Sequence, residues 1–177
     1  PVINELKAQL NSKIKHVCLV LLDGMGINII EKHLAPDTFI RKNMRKKITS
    51  VFPPTTVAAT NAVLTTSPPY ESGYLGWVQY FKEIDTNLAV FLNKDFYDNT
   101  KTFQTIFRDV YLKQDLIYDY IKRSRPEVST YELFPKFRVN GYKTFHLQMK
   151  RLLEITKKNE ENFTYTYRSA ADACALQ

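Results

Sequence analysis

Apolar residues follow one another almost without interruption over residues 15–22, a pattern typical of a strand covered on both faces. In residues 142–157 they recur with helical spacing instead, and residues 163–167 are β-branched and aromatic, as strands favour. The same patterns along the chain predict strands at residues 15–22, 47–52, 77–82, 88–92, 128–133 and 163–167. They predict helices at residues 2–10, 27–34, 36–44, 56–66, 103–111, 116–123 and 142–157. Residues 67–76 are predicted to form a loop. Alternating strands and helices favour an α/β layered fold, with a mostly parallel central sheet flanked by helices, in a single domain spanning residues 1–177.

Composition narrows the class of protein. The 177 residues are 44% hydrophobic, which is enough to bury a substantial core. No apolar run reaches the length of a membrane span, so no membrane partner is expected. The two cysteines, Cys18 and Cys174, do not make a disulfide framework, and Cys18 in its apolar strand is expected to be a small core residue. Together these features favour a reducing, cytoplasmic setting.

The formal net charge of +7 is concentrated in three clusters, at residues 41–47, 122–125 and 150–158. Solvated helix faces explain such clusters most simply. They are not interleaved with regularly spaced aromatic residues, and no nucleic-acid module signature is present. A nucleic-acid partner is therefore unlikely on this pattern, although a basic nucleic-acid-binding α/β domain stays open as an alternative.

Two segments bring polar groups to the ends of predicted strands. Asp23 ends the strand of residues 15–22, and the sequence 50–62 (SVFPPTTVAATNA) stops a strand at a proline pair before a threonine pair opens a helix. Ligands of α/β sheets bind beyond the carboxyl ends of the strands, and the N-terminus of a helix attracts phosphate oxygens. A carboxylate, a hydroxyl and a helix dipole together favour metal-assisted phosphoryl chemistry.

These motifs, in this order, resemble a known family. The sequences LLDGMG at 21–26, FPPTT at 52–56 and PYESGYLG at 69–76 are similar to the opening of the alkaline phosphatase superfamily, in particular its type I phosphodiesterase/nucleotide pyrophosphatase group. The resemblance covers residues 15–77 and implies that the chain is the N-terminal part of a larger hydrolase domain. It further implies a small phosphoester or nucleotide substrate and two divalent metal ions, most often zinc.

The resemblance assigns roles to individual residues. Asp23 and Asp172 match metal ligands, and Thr56 matches a nucleophile that also touches a metal ion. If the register slips by one position, Thr55 takes that role. Trp77 stands where the family places a polar residue that contacts the phosphate, and its indole N–H is a hydrogen-bond donor.

The chain departs from the family pattern near Asp172. Ala171 replaces a proline and Leu176 replaces a metal-binding histidine, so at most three of the required metal-binding groups are present. The 177-residue chain alone is therefore expected to be inactive. It is either part of a phosphodiesterase or nucleotide pyrophosphatase with a Thr nucleophile, or a degenerate relative that keeps the fold without catalysis.

Overall fold

The computed structural model describes residues 2–10, 12, 14–98, 100–101, 103–112, 114–136, 138 and 140–169. They divide into two compact units, one formed by Ile3–Ile48 with the chain from Arg125 onward and the other by Thr49–Ser124. That residues 1–177 form a single domain stays a prediction.

The elements are named in chain order. The helices are α1 Val2–Leu10, α2 Ile27–His33, α3 Phe39–Lys42, α4 Thr56–Thr65, α5 Pro69–Ser72, α6 Phe107–Tyr111, α7 Ile117–Ser124 and α8 Phe145–Ile155. The strands are β1 His16–Leu22, β2 Val78–Phe81, β3 Thr86–Ala89, β4 Lys94–Asp95, β5 Ser129–Leu133 and β6 Asn162–Arg168. Most predicted elements are therefore confirmed, with α3 and α6 shorter than expected and the short helix α5 within the predicted loop.

The first unit is built on a three-stranded parallel sheet with the order β1-β6-β5. Every residue of the central strand β6 is buried. Its aromatic residues Phe163, Tyr165 and Tyr167 lie on one face and Thr164 and Thr166 on the other, because successive side chains of a strand alternate. The prediction that β1 is the strand covered on both faces is wrong, since β6 is.

Among the described residues β1 is an edge strand, and part of it faces solvent. Cys18 is exposed rather than a core residue, and Val20 beside it on the same face is exposed as well. Partial burial still raises the pKa of the Cys18 thiol. Cys174 lies outside the described residues.

The strand predicted at residues 47–52 is not formed. The residues lie outside regular secondary structure, and most of them are exposed. A strand is stable only when its N–H and C=O groups pair with a neighbour, and no strand of the described chain pairs with this segment. The premise that Thr56 follows a strand is therefore wrong.

The second unit contains a three-stranded antiparallel sheet, ordered β2-β3-β4. Strands β2 and β3 form a hairpin whose turn spans residues 82–85 and ends at Asp85 with φ 46°. Strand β4 was not anticipated. The core of this unit consists of Val57, Tyr74, Phe81, Leu88, Val90 and Phe107. The protein is thus of mixed α/β class, and its sheets are parallel in one unit and antiparallel in the other.

Candidate functional site

Asp23 lies directly beyond the carboxyl end of β1. Its backbone N–H donates to the carbonyl oxygen of Arg168 at 2.8 Å, which extends the β1–β6 ladder by one bond. Gly24 then turns the chain away with φ 73°, a left-handed conformation that glycine adopts without steric cost. The sequence-based expectation that Asp23 ends a strand and opens a turn is confirmed.

A tyrosine of the central strand binds the Asp23 carboxylate. The Tyr167 hydroxyl donates to Oδ2 of Asp23 at 2.7 Å. Burial, followed by the hydrogen bond to Asp23 and the charge of that carboxylate, raises the pKa of Tyr167 well above its usual value. The hydroxyl therefore keeps its proton and orients the carboxylate at the sheet edge.

Sequence reasoning missed this tyrosine as a site residue. Tyr167 pairs with Leu21 in the parallel register, so it lies on the same side of the sheet as Asp23, which follows Leu21 by two residues just beyond the end of β1. The proximity of Tyr167 to Asp23 follows only from the register of β1 against β6, which the sequence pattern does not give.

The two threonines at the start of α4 have different roles. Thr55 is the N-cap residue, and its Oγ1 accepts a hydrogen bond from the Ala58 backbone N–H at 3.3 Å. Thr56 is the first residue of the helix itself. The first turn contains no acidic side chain, so no carboxylate of its own offsets the positive end of the helix dipole.

Trp77 immediately precedes β2 and is 46% exposed. Its ring packs edge-on against Phe91, with the ring centroids 6.1 Å apart. Its carbonyl oxygen accepts from the backbone N–H of Val90 at 3.0 Å, which fixes its position beside the sheet. Part of the indole packs in the second unit and part faces solvent, and a substrate contact by Trp77 stays a prediction.

The proposed metal ligands are only partly within the described chain. Asp172 lies outside it, as do Ala171 and Leu176. Among the described residues, no group of three or more His, Cys, Asp and Glu side chains could hold a metal ion.

Among the described residues, the histidines are not part of any such group of three. His16 begins β1, at the opposite end from Asp23, and its Nδ1 lies 2.9 Å from Nδ2 of Asn162. His33 and His146 are exposed. Asp23 offers oxygen donors only, which suit hard divalent cations, whereas a zinc site takes about four ligands and favours nitrogen or sulfur among them.

Comparisons of the chain with protein-family models, with curated proteins and with solved structures found no match. The resemblance to phosphodiesterases therefore rests on the motifs alone. In the part of the chain that the structure describes, every helix is too short or too polar to cross a bilayer.

Proposed function

We propose that this chain belongs to a metal-dependent hydrolase of phosphodiester or pyrophosphate bonds, with Thr56 as the nucleophile and Asp23 as a metal ligand. The observation that carries the proposal is the division of roles at the start of α4. The Thr55 hydroxyl is the acceptor that caps the helix, and Thr56, the first residue of the helix, stands at the fifth position of the FPPTT motif, where the resemblance places the nucleophile. This favours the register in which Thr56, and not Thr55, is catalytic.

The N-terminus of α4 supports binding of a phosphoryl group. The first N–H groups of a helix have no acceptor within the helix, and they point along its axis toward an anion placed there. In the proposed reaction, the bond from Thr56 Oγ1 to phosphorus forms while the bond from phosphorus to the leaving oxygen breaks. The proton of the Thr56 hydroxyl passes to solvent water, and the leaving group departs with the electron pair. Water later hydrolyses the phosphothreonine ester, which restores the hydroxyl and releases the phosphate product.

The proposal gives Asp23 and Tyr167 distinct parts. The Asp23 carboxylate would bind a divalent cation, and Tyr167 is a positioning residue that holds one carboxylate oxygen by the 2.7 Å hydrogen bond. A bound divalent cation would supply the positive charge that stabilises an alkoxide nucleophile and a negatively charged phosphoryl group. Asp172 would add a second carboxylate.

The experiment is a search for the covalent intermediate. The purified chain is mixed with a p-nitrophenyl ester of a nucleoside monophosphate and zinc or manganese ions, quenched in acid and analysed by peptide mass spectrometry. We expect no sustained turnover by the chain alone, because few metal ligands are present, but a nucleotide adduct on the peptide that contains Thr56.

Three variants give the controls. Thr56→Ala should abolish the adduct, Thr56→Ser should keep it because a hydroxyl remains, and Thr55→Ala should keep it while destabilising the helix by about 1 kcal/mol through loss of the cap. An adduct that maps to Thr55 would show that the register is wrong. A chain that gives neither adduct nor hydrolysis with either metal would remove the nucleophile assignment.

A further inference from the structure

Residues 39–48 (FIRKNMRKKI), here called the basic segment, combine positive charge with apolar side chains. The segment holds five of the 25 Lys and Arg residues of the chain and no acidic residue. It comprises the single-turn helix α3 and the residues outside regular secondary structure that follow it. It lies wholly within the first unit.

The apolar side chains of the basic segment face solvent instead of a core. Phe39 is 81% exposed, and Ile48 at the other end is 58% exposed. Ile40 is exposed as well. Three exposed apolar side chains therefore lie within a strongly basic stretch of ten residues.

The basic segment is fixed to the folded unit by its own arginines. The Arg41 guanidinium donates to the carbonyl oxygen of Leu34 at 2.9 Å. Arg45 forms an ion pair with Glu5 at 2.8 Å, and Lys47 forms one with Glu31. Of these contacts the hydrogen bond from Arg41 is partly buried, and it places the start of the segment beside the end of α2.

Much of the positive charge stays accessible to a partner. Lys42 and Lys46 are exposed and have no ion-pair partner among the described residues. The ion pairs of Arg45 and Lys47 are themselves at the surface, where such pairs contribute little and exchange readily for another anion. The segment therefore has several exposed cations that an anionic partner could contact.

We propose that the basic segment docks on a membrane surface rich in anionic phospholipids, with Phe39, Ile40 and Ile48 inserted among the headgroups. Lipid phosphates and carboxylates match the cations, and the acyl boundary takes the apolar side chains. The phosphates of a nucleic acid could also pair with the cations, but a nucleic acid offers no apolar environment comparable to acyl chains for two isoleucines. A spanning helix is not needed for docking of this kind, so the finding on helix length does not oppose it.

The test is sedimentation of the full chain with vesicles of phosphatidylcholine alone or mixed with phosphatidylserine, at low and at physiological salt. We expect binding only to the mixed vesicles, weakening as salt rises. Phe39→Ala should reduce the partition coefficient about tenfold, from the loss of one inserted aromatic side chain. Replacing Lys42 and Lys46 together by Gln should reduce it by about fivefold for each cation.

Matched controls distinguish binding through the basic segment from nonspecific hydrophobic or electrostatic binding elsewhere on the chain. Phe52→Ala removes a phenylalanine that is 87% exposed but lies outside the basic segment, and Lys82→Gln with Lys94→Gln makes the same charge change on exposed lysines of the second unit. Both controls should stay within about twofold of the parent chain. Equal losses in the controls, absence of binding to the mixed vesicles at low salt, or full binding by Phe39→Ala would each overturn the proposal. So would a single-stranded RNA that binds more tightly than the vesicles and depends on the lysines alone.

Discussion

Gln148 is a buried polar residue whose replacement should strongly destabilise the first unit. It lies on α8, is fully buried, and its Nε2 donates to the carbonyl oxygens of Leu133 at 2.6 Å and Tyr167 at 2.9 Å. One side-chain amide therefore ties α8 to the carboxyl ends of β5 and β6. Tyr167 is also the residue that binds Asp23, so the same contact supports the proposed site.

The expected magnitude follows from what Gln148→Leu removes. Each lost hydrogen bond costs about 1 kcal/mol net, and two carbonyl oxygens left without this donor add a desolvation penalty of about 1–3 kcal/mol. Against this, Oε1 of Gln148 has no hydrogen-bond partner among the described residues, so its removal returns about 1 kcal/mol. We expect the free energy of unfolding to fall by about 3 kcal/mol, or about 6–12 °C in Tm for a chain of this size.

The assay is urea unfolding followed by circular dichroism, with Lys150→Leu as the control because Lys150 is exposed on the same helix. Gln148→Glu extends the test. At neutral pH its carboxylate faces two carbonyl oxygens without a donor, and stability should recover as pH falls and the protonated group donates again. If Gln148→Leu stays within about 1 kcal/mol of the parent, the two bonds do not hold α8 to the sheet.

Three further predictions concern the cores and titration. The hydroxyls of Thr164 and Thr166 are fully buried and have no hydrogen-bond partner among the described residues. Replacing either threonine by valine should therefore raise the free energy of unfolding by about 1 kcal/mol. If the variant is destabilised instead, an ordered water molecule satisfies the hydroxyl. Burial raises the pKa of Tyr165 and, with the Asp23 hydrogen bond, that of Tyr167. Because the unfolded tyrosines ionise above about pH 10 and the folded ones do not, the free energy of unfolding should be unaffected below that pH and fall above it, by up to about 1.4 kcal/mol per pH unit for each tyrosine. Urea unfolding measured at several pH values should show a shallower fall for Tyr167→Phe than for the parent chain. Leu88 is fully buried in the core of the second unit, so Leu88→Ala should lower the free energy of unfolding by about 2–5 kcal/mol in the same assay. A smaller decrease would mean that neighbouring side chains move to fill the cavity.

The sequence by itself determined the elements whose signals are local. Helix α4 begins at Thr56 as predicted, because a capping hydroxyl needs only the amide three residues ahead, and Thr144 caps α8 in the same way through the Leu147 N–H at 3.2 Å. The strand periodicity of residues 16–22 and the turn at Gly24 are local too, so the position of Asp23 at the end of a strand was predictable.

Tertiary structure decided which strands pair, which strand is central, and which side chain reaches Asp23. Residues 47–52 contain the β-branched and aromatic side chains that strands favour but have no strand neighbour in the described chain. Strand β6 contains more polar residues than β1, yet it is the fully buried one because it lies between two others. Tyr167 meets Asp23 across 144 positions of sequence through the β1–β6 register. Strand pairing joins residues that are distant along the chain, so hydrophobic periodicity can indicate that a strand forms but not which neighbour will cover it.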